Sequence, residues 1–180
     1  MSQVTRYHPI LVVLHWLLAF FIIMALAMGY FVMSQTPNSA PEKLEMLRGH
    51  MAGGMLILAL MVIRFIVRRM TSPPPQATTG NAALDRLAPL THYGFYILVI
   101  LMAGTGLATS LAAGLPAIVF GNSGDPLPET FLTFPTRIAH GYIAAAIAAL
   151  LALHVAAALY HQFVLKDSLF RRMFFGKRKD

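Results

Sequence analysis

Charge disappears from the chain between Ile10 and Met33. A run of that length exceeds the roughly 20 residues an α-helix needs to cross a hydrocarbon core. It also outlasts the roughly 7–15 apolar residues of a signal peptide, so it reads as a first spanning helix with Pro9 at its opening position. Leu47–Val67 is a second apolar stretch, weakened by Arg48, His50 and Arg64, and Leu87–Leu111 is a third. Pro135–Leu165 is the fourth and carries Arg137 as its one charged residue. Between them lie segments rich in turn-forming or charged residues: Ser34–Met46, the Pro73-Pro74-Pro75 connector over Arg68–Arg86, and Ala112–Phe134 with its Gly and Pro. The pattern predicts an all-α, integral membrane four-helix bundle, one unit over residues 1–180, with helices at 10–33, 47–67, 87–111 and 135–165 and antiparallel neighbours.

Composition agrees with a membrane protein. Of 180 residues, 57% are hydrophobic and 12% charged, and mean hydropathy is +0.65, too apolar for an ordinary soluble domain. Cysteine is absent, which excludes disulfides, iron–sulfur clusters, thiolate metal sites and thioether-linked haem. The net charge of +7 does not indicate nucleic acid, because the basic residues gather at helix ends instead of forming a face. Arg6, Arg64, Arg68, Arg69, Arg86, Lys166, Arg171, Arg172, Lys177, Arg178 and Lys179 belong to one side, and Lys43, Arg48 and Arg137 to the other. The positive-inside rule then predicts both termini in the cytoplasm.

The polar residues inside the apolar stretches carry the chemistry. His140, His154 and His161 follow one another at intervals of fourteen and seven, leaving angular offsets of roughly 40° and 20°, so they share one stripe of the fourth helix. His140 and His154 are about 21 Å apart along the axis, one in each half of a layer about 30 Å thick. A lone histidine on an apolar helix is most often a hydrogen-bonded core residue. Three on one stripe, with His15, His50 and His92 in the other helices, point to a cofactor or a transport path.

Depth sorts them. His50 and His140 both stand near the outer ends of their helices and form a natural pair for axial bis-histidine ligation of a haem. Gly49, Gly53, Gly54 and Gly141 flank them, leaving room for a flat ring or for close helix packing. His154 lies in the cytoplasmic half with both His15 and His92, and periodicity does not choose between these partners. Arg48 and Arg137, within one turn of the outer pair, could each hold a haem propionate or anchor a helix end at the interface. Arg64 has the same two readings on the inner side, with snorkelling favoured.

The chain resembles the prokaryotic cytochrome b561 family over essentially its full length. The resemblance is carried by Tyr7-His8-Pro9 and Leu14-His15-Trp16-Leu17, Arg48-Gly49-His50, Leu90-Thr91-His92-Tyr93 with Gly104-Thr105-Gly106, His140-Gly141-Tyr142, and the run from His154 to His161. It implies two non-covalent b-type haems, the inner on His15 and His154 and the outer on His50 and His140. It leaves His92 and His161 for a quinone headgroup, where a polar tip at the interface is the alternative. It also implies oxidation of superoxide outside and reduction of ubiquinone, with Lys43, Arg48 and Arg137 drawing in the anion against Glu42, Glu45, Asp125 and Glu129. Two alternatives stand beside this: a haem-bearing membrane anchor passing electrons between a periplasmic redox partner and quinone, and a haem-free transporter with a histidine proton relay.

Overall fold

The computed structural model describes residues 5–167, 169–174 and 176. Lys177, Arg178 and Lys179 of the basic tail lie outside the described residues. The described chain is helical throughout, with no strand, and four of its helices are long and apolar enough to cross a membrane.

Helix α1 (Pro9–Ala27) opens on a proline whose fixed φ suits the first turn, with the His8 ring accepting from the Ile10 amide at 3.4 Å. It runs on as a π turn over Met28–Met33. Helix α2 spans Glu42–Met70 and so begins five residues before the expected Leu47. Glu42 and Glu45 supply the reason, since acidic side chains in a first turn oppose the positive helix end, as Arg68 and Arg69 oppose the negative one. Lys43, assigned above to a loop, is therefore helical. Its side chain folds back onto the carbonyls of Met33 and Thr36, which the end of the first span leaves without amide partners.

Helix α3 (Ala82–Ala112) also begins early, five residues before Leu87. The Asn81 side chain caps it by accepting from Ala83 N at 2.9 Å, and Asp85 accepts from the amide and hydroxyl of Thr79. Pro89 sits inside this helix and cannot donate to the carbonyl of Asp85. Gln76 Nε2 donates to that carbonyl instead, at 2.8 Å, so the helix runs through its proline with the acceptor satisfied. Helix α4 (Pro135–Tyr160) continues as a π turn over His161–Leu165, and a short 3₁₀ segment follows at Leu169–Met173.

α1 packs along α2 and α3 along α4, while α1–α4 and α2–α4 are not among the closely packed pairs. An aliphatic layer joins all four at mid-depth: Leu18, Ile57, Met61, Val99 and Ile147. Large apolar residues such as Phe20, Ile63, Ile100 and Leu153 face outward from the bundle, as a lipid-facing surface requires.

Both chain ends meet at one end of the bundle. Tyr7 N donates to Arg172 O at 3.2 Å, Arg6 reaches the carbonyls of Arg171 and Phe174, and Trp16 Nε1 donates to Met173 O at 2.8 Å. The connector between α2 and α3 joins them, its Pro75 carbonyl accepting from Arg172. This is the end that gathers the Arg-rich segments.

Candidate functional site

The histidines occupy two levels, one on each side of the aliphatic layer. At the level near the 34–41 loop, His50 of α2 faces His140 of α4 with ring centroids 6.0 Å apart and planes inclined at 71°. His140 Nδ1 lies 3.0 Å from Met102 O and 3.2 Å from Thr105 Oγ1. A carbonyl can only accept, so Nδ1 carries the proton and Nε2 keeps its lone pair, the arrangement by which a protein orients a metal-ligating imidazole. Gly106 makes this possible: a Cβ there would stand 3.2 Å from His140 Cε1. At Gly49, Gly53 and Gly54 a Cβ would meet no atom within 4 Å, so the flank of α2 beside His50 is smooth.

At the other level three imidazoles converge. His154 of α4 lies 6.1 Å from His15 of α1 and 5.7 Å from His92 of α3, with Phe95 packed against it at 5.7 Å. His92 Nδ1 donates to Ala88 O at 2.7 Å, again leaving Nε2 as the free acceptor. Two imidazoles facing each other through one metal, each nitrogen about 2 Å from it and about 1.1 Å from its ring centre, have centroids about 6.2 Å apart. All three separations lie near that value, and both levels suit a bis-histidine haem. Among the described residues no group of three or more His, Asp or Glu is arranged to chelate a bare ion. Separation alone leaves His15 and His92 equivalent partners for His154.

The arginines fall out differently from their sequence reading. Arg48 is tied down: Nε and Nη2 donate to Val119 O at 3.1 and 2.7 Å, and Nη1 pairs with Glu45, so it straps α2 to a π turn, Pro116–Phe120, that forms within the segment expected to be a loop. Arg137 is half-buried, one turn before His140, and makes no hydrogen bond to the described residues, while its charge acts on both His50 and His140. Lys43, expected to attract an anion, is 5% exposed and engaged by two carbonyls, which removes it from the surface. Arg64, expected to snorkel, is 8% exposed and donates to Leu11 O at 3.1 Å, one turn before His15. Hydropathy along α2 gave no sign of that neighbour.

His161 pairs through Nδ1 with Asp167 Oδ2 at 2.5 Å and packs on Tyr160, and among the described residues it makes no ring contact with His92. Asp167 went unremarked in the sequence because it lies beyond the span. Burial alone would push its carboxyl up, but the hydrogen bonds from His161 and the Leu169 amide, with the charges of His161 and Arg172, hold it below the usual aspartate value.

Comparison with known proteins adds a second line. The sequence model of the family described as prokaryotic cytochrome b561 matches residues 6–176. Cytochrome b561 homolog 2 of Escherichia coli (strain K12) is 29% identical, covering 93% of this chain and 90% of its own length. A probable superoxide oxidase CybB of Yersinia pestis is 27% identical over 96% of this chain and 98% of its own. Cytochrome b561 homolog 1 of the same E. coli strain is 25% identical over 93% and 96%.

Proposed function

The chain belongs to the prokaryotic cytochrome b561 family, a family of membrane electron-transfer proteins, and on that premise we propose that it carries two b-type haems and moves electrons from superoxide outside to ubiquinone inside. The observation that carries the reading is the facing of imidazoles from separate helices at two depths, 6.0 Å apart at one and 6.1 or 5.7 Å at the other. His50 and His140 hold the outer haem, and His15 and His154 the inner one. Bound there, the haems would supply one-electron carriage across the bundle.

The remaining groups have roles that follow from their placement. Met102 O holds His140 in the tautomer that presents Nε2. Arg137, without a hydrogen-bonded partner among the described residues, offers its planar fork to a propionate or to an arriving anion. The positive-inside rule sets the Arg-rich end, with both termini, in the cytoplasm and the His50–His140 level toward the periplasm. Quinone approaches the cytoplasmic side within the membrane, where His92 and His161 are the groups we assign to its headgroup. The overall reaction balances as two superoxide, one ubiquinone and two protons giving two dioxygen and one ubiquinol.

Haem stoichiometry and visible absorption of the purified protein test this, first in the wild type and then in alanine variants of His15, His50, His92, His140, His154 and His161. Two haems are expected in the wild type and in H92A and H161A, and one in each of the other four. Loss of a haem in H92A with retention of both in H15A would move the inner ligand to α3. Rapid haem reduction by superoxide, followed by electron delivery to ubiquinone, is the expected activity. Haems reduced by quinol and inert to superoxide would leave the cytochrome and remove the oxidase.

A further inference from the structure

Two polar groups at the inner histidine level have no adequate partner in the protein. The Arg64 guanidinium, 8% exposed, makes its one hydrogen bond among the described residues to Leu11 O at 3.1 Å. Both ion pairs among the described residues, Arg48–Glu45 and His161–Asp167, lie elsewhere, so no carboxylate of the described chain neutralises it. The Tyr96 hydroxyl is shut off from solvent without a hydrogen-bond partner, and its ring packs at 5.4 Å on Phe65, the residue after Arg64 on α2.

Both groups come from the inner half of the bundle: Arg64 reaches Leu11 O, one turn before His15 on α1, and Tyr96 lies one turn after His92 on α3. Arg64 comes from α2, so three helices contribute to this end of the inner level. A guanidinium with unused N–H donors and a phenol with an unused O–H, both enclosed in the inner half of an apolar bundle, form a recognition set for a carboxylate. A buried cation without a counter-ion is costly enough that the chain would not be expected to keep it without a ligand. The peripheral charged groups of a b-type haem are its two propionates. We propose that Arg64 and Tyr96 clamp a propionate of the inner haem and so raise that haem's reduction potential.

This rests on the di-haem reading, and it assigns a task to residues that ligate nothing. With the clamp intact, the propionate charge beside the iron is neutralised. Without Arg64 the anion stands alone and favours the ferric state.

The test is a potentiometric titration of the α-bands in R64M, R64K and Y96F, with the inner haem identified by its absence from H154A. R64M is expected to keep two haems per chain and to lower the inner midpoint by at least tenfold in the redox equilibrium, which is about 59 mV for one electron. The outer midpoint stays in place, R64K recovers most of the shift, and Y96F shows a smaller shift of the same sign. In protein reconstituted with haem whose propionates are methyl esters, the Arg64 and Tyr96 substitutions should no longer move the inner midpoint. An unchanged inner midpoint in R64M, or in Y96F should R64M not fold, overturns the clamp. An effect that persists undiminished with the ester overturns it too, by showing that Arg64 acts on the iron without the carboxylate. Wild-type protein that binds no haem overturns the reading beneath it instead.

Discussion

Gly106 offers the sharpest test of how the outer level is built. A Cβ at this position would stand 3.2 Å from His140 Cε1 and 3.4 Å from Nδ1, against a comfortable carbon–carbon separation of about 3.5–4.0 Å. In G106A the imidazole must therefore retreat by about 0.3–0.8 Å. The ring is not free to do so, because Met102 O and Thr105 Oγ1 hold its Nδ1 at 3.0 and 3.2 Å. Overpacking of this kind costs about 1–3 kcal/mol. If the strain falls on the His50–His140 pair, outer-haem affinity drops by about 5- to 150-fold at 1.4 kcal/mol per tenfold. Gly104 supplies the control. It lies on the same helix, a Cβ there meets nothing within 4 Å, and its replacement by alanine brings the same gain in helix propensity, about 1 kcal/mol. Haem retention against a scavenging apoprotein, followed by absorption, reads the difference. G106A should lose its outer haem faster than wild type or G104A while the inner haem stays. Equal retention in the two variants, or loss of the inner haem, would show that the His140 contact does not govern the site.

Three further outcomes follow from the geometry. Ile147, 3% exposed in the mid-bundle layer, should cost about 2–5 kcal/mol on truncation to alanine, seen as a lower thermal midpoint in detergent with both haem spectra unchanged. The Asp167 carboxyl is held below its ordinary value, so its contribution to docking the C-terminal segment is complete above that value and is lost as pH falls through the depressed one; D167N should abolish this acid-dependent rise in amide exchange over 161–174. W16F removes the hydrogen bond to Met173 O, worth about 0.5–1.5 kcal/mol, and should speed proteolytic nicking of the same segment without changing haem content.

Much of this arrangement was legible in the chain because helical geometry is periodic. Fourteen residues between His140 and His154 are enough to put both on one face of α4 at two depths, and counting from helix ends matched His50 to His140. What the sequence could not show depends on neighbours remote in the chain. Arg64 snorkels or stays buried according to whether a carbonyl from α1 is within reach, and Leu11 O is. Lys43 looked like a loop charge because Glu42 and Glu45 were read as polarity and not as a helix start. Pro89 falls inside the third span, and the carbonyl it orphans is satisfied by Gln76, thirteen residues away, which no local pattern shows. The choice between His15 and His92 stayed open for a different reason: three helices deliver imidazoles to one point, and both candidates lie within about 6 Å of His154.

The band of Leu18, Ile57, Met61, Val99 and Ile147 has an electrical consequence. Aliphatic side chains from every helix interpose an apolar layer between the two histidine levels, which disfavours a file of water along the bundle. Carriage between the two tiers would then be electrogenic. With the tiers about 21 Å apart in a dielectric about 30 Å thick, an electron moving inward against a negative interior does about 1.6 kcal/mol of work per 100 mV. Dissipating the membrane potential should therefore speed the inward step and slow its reverse.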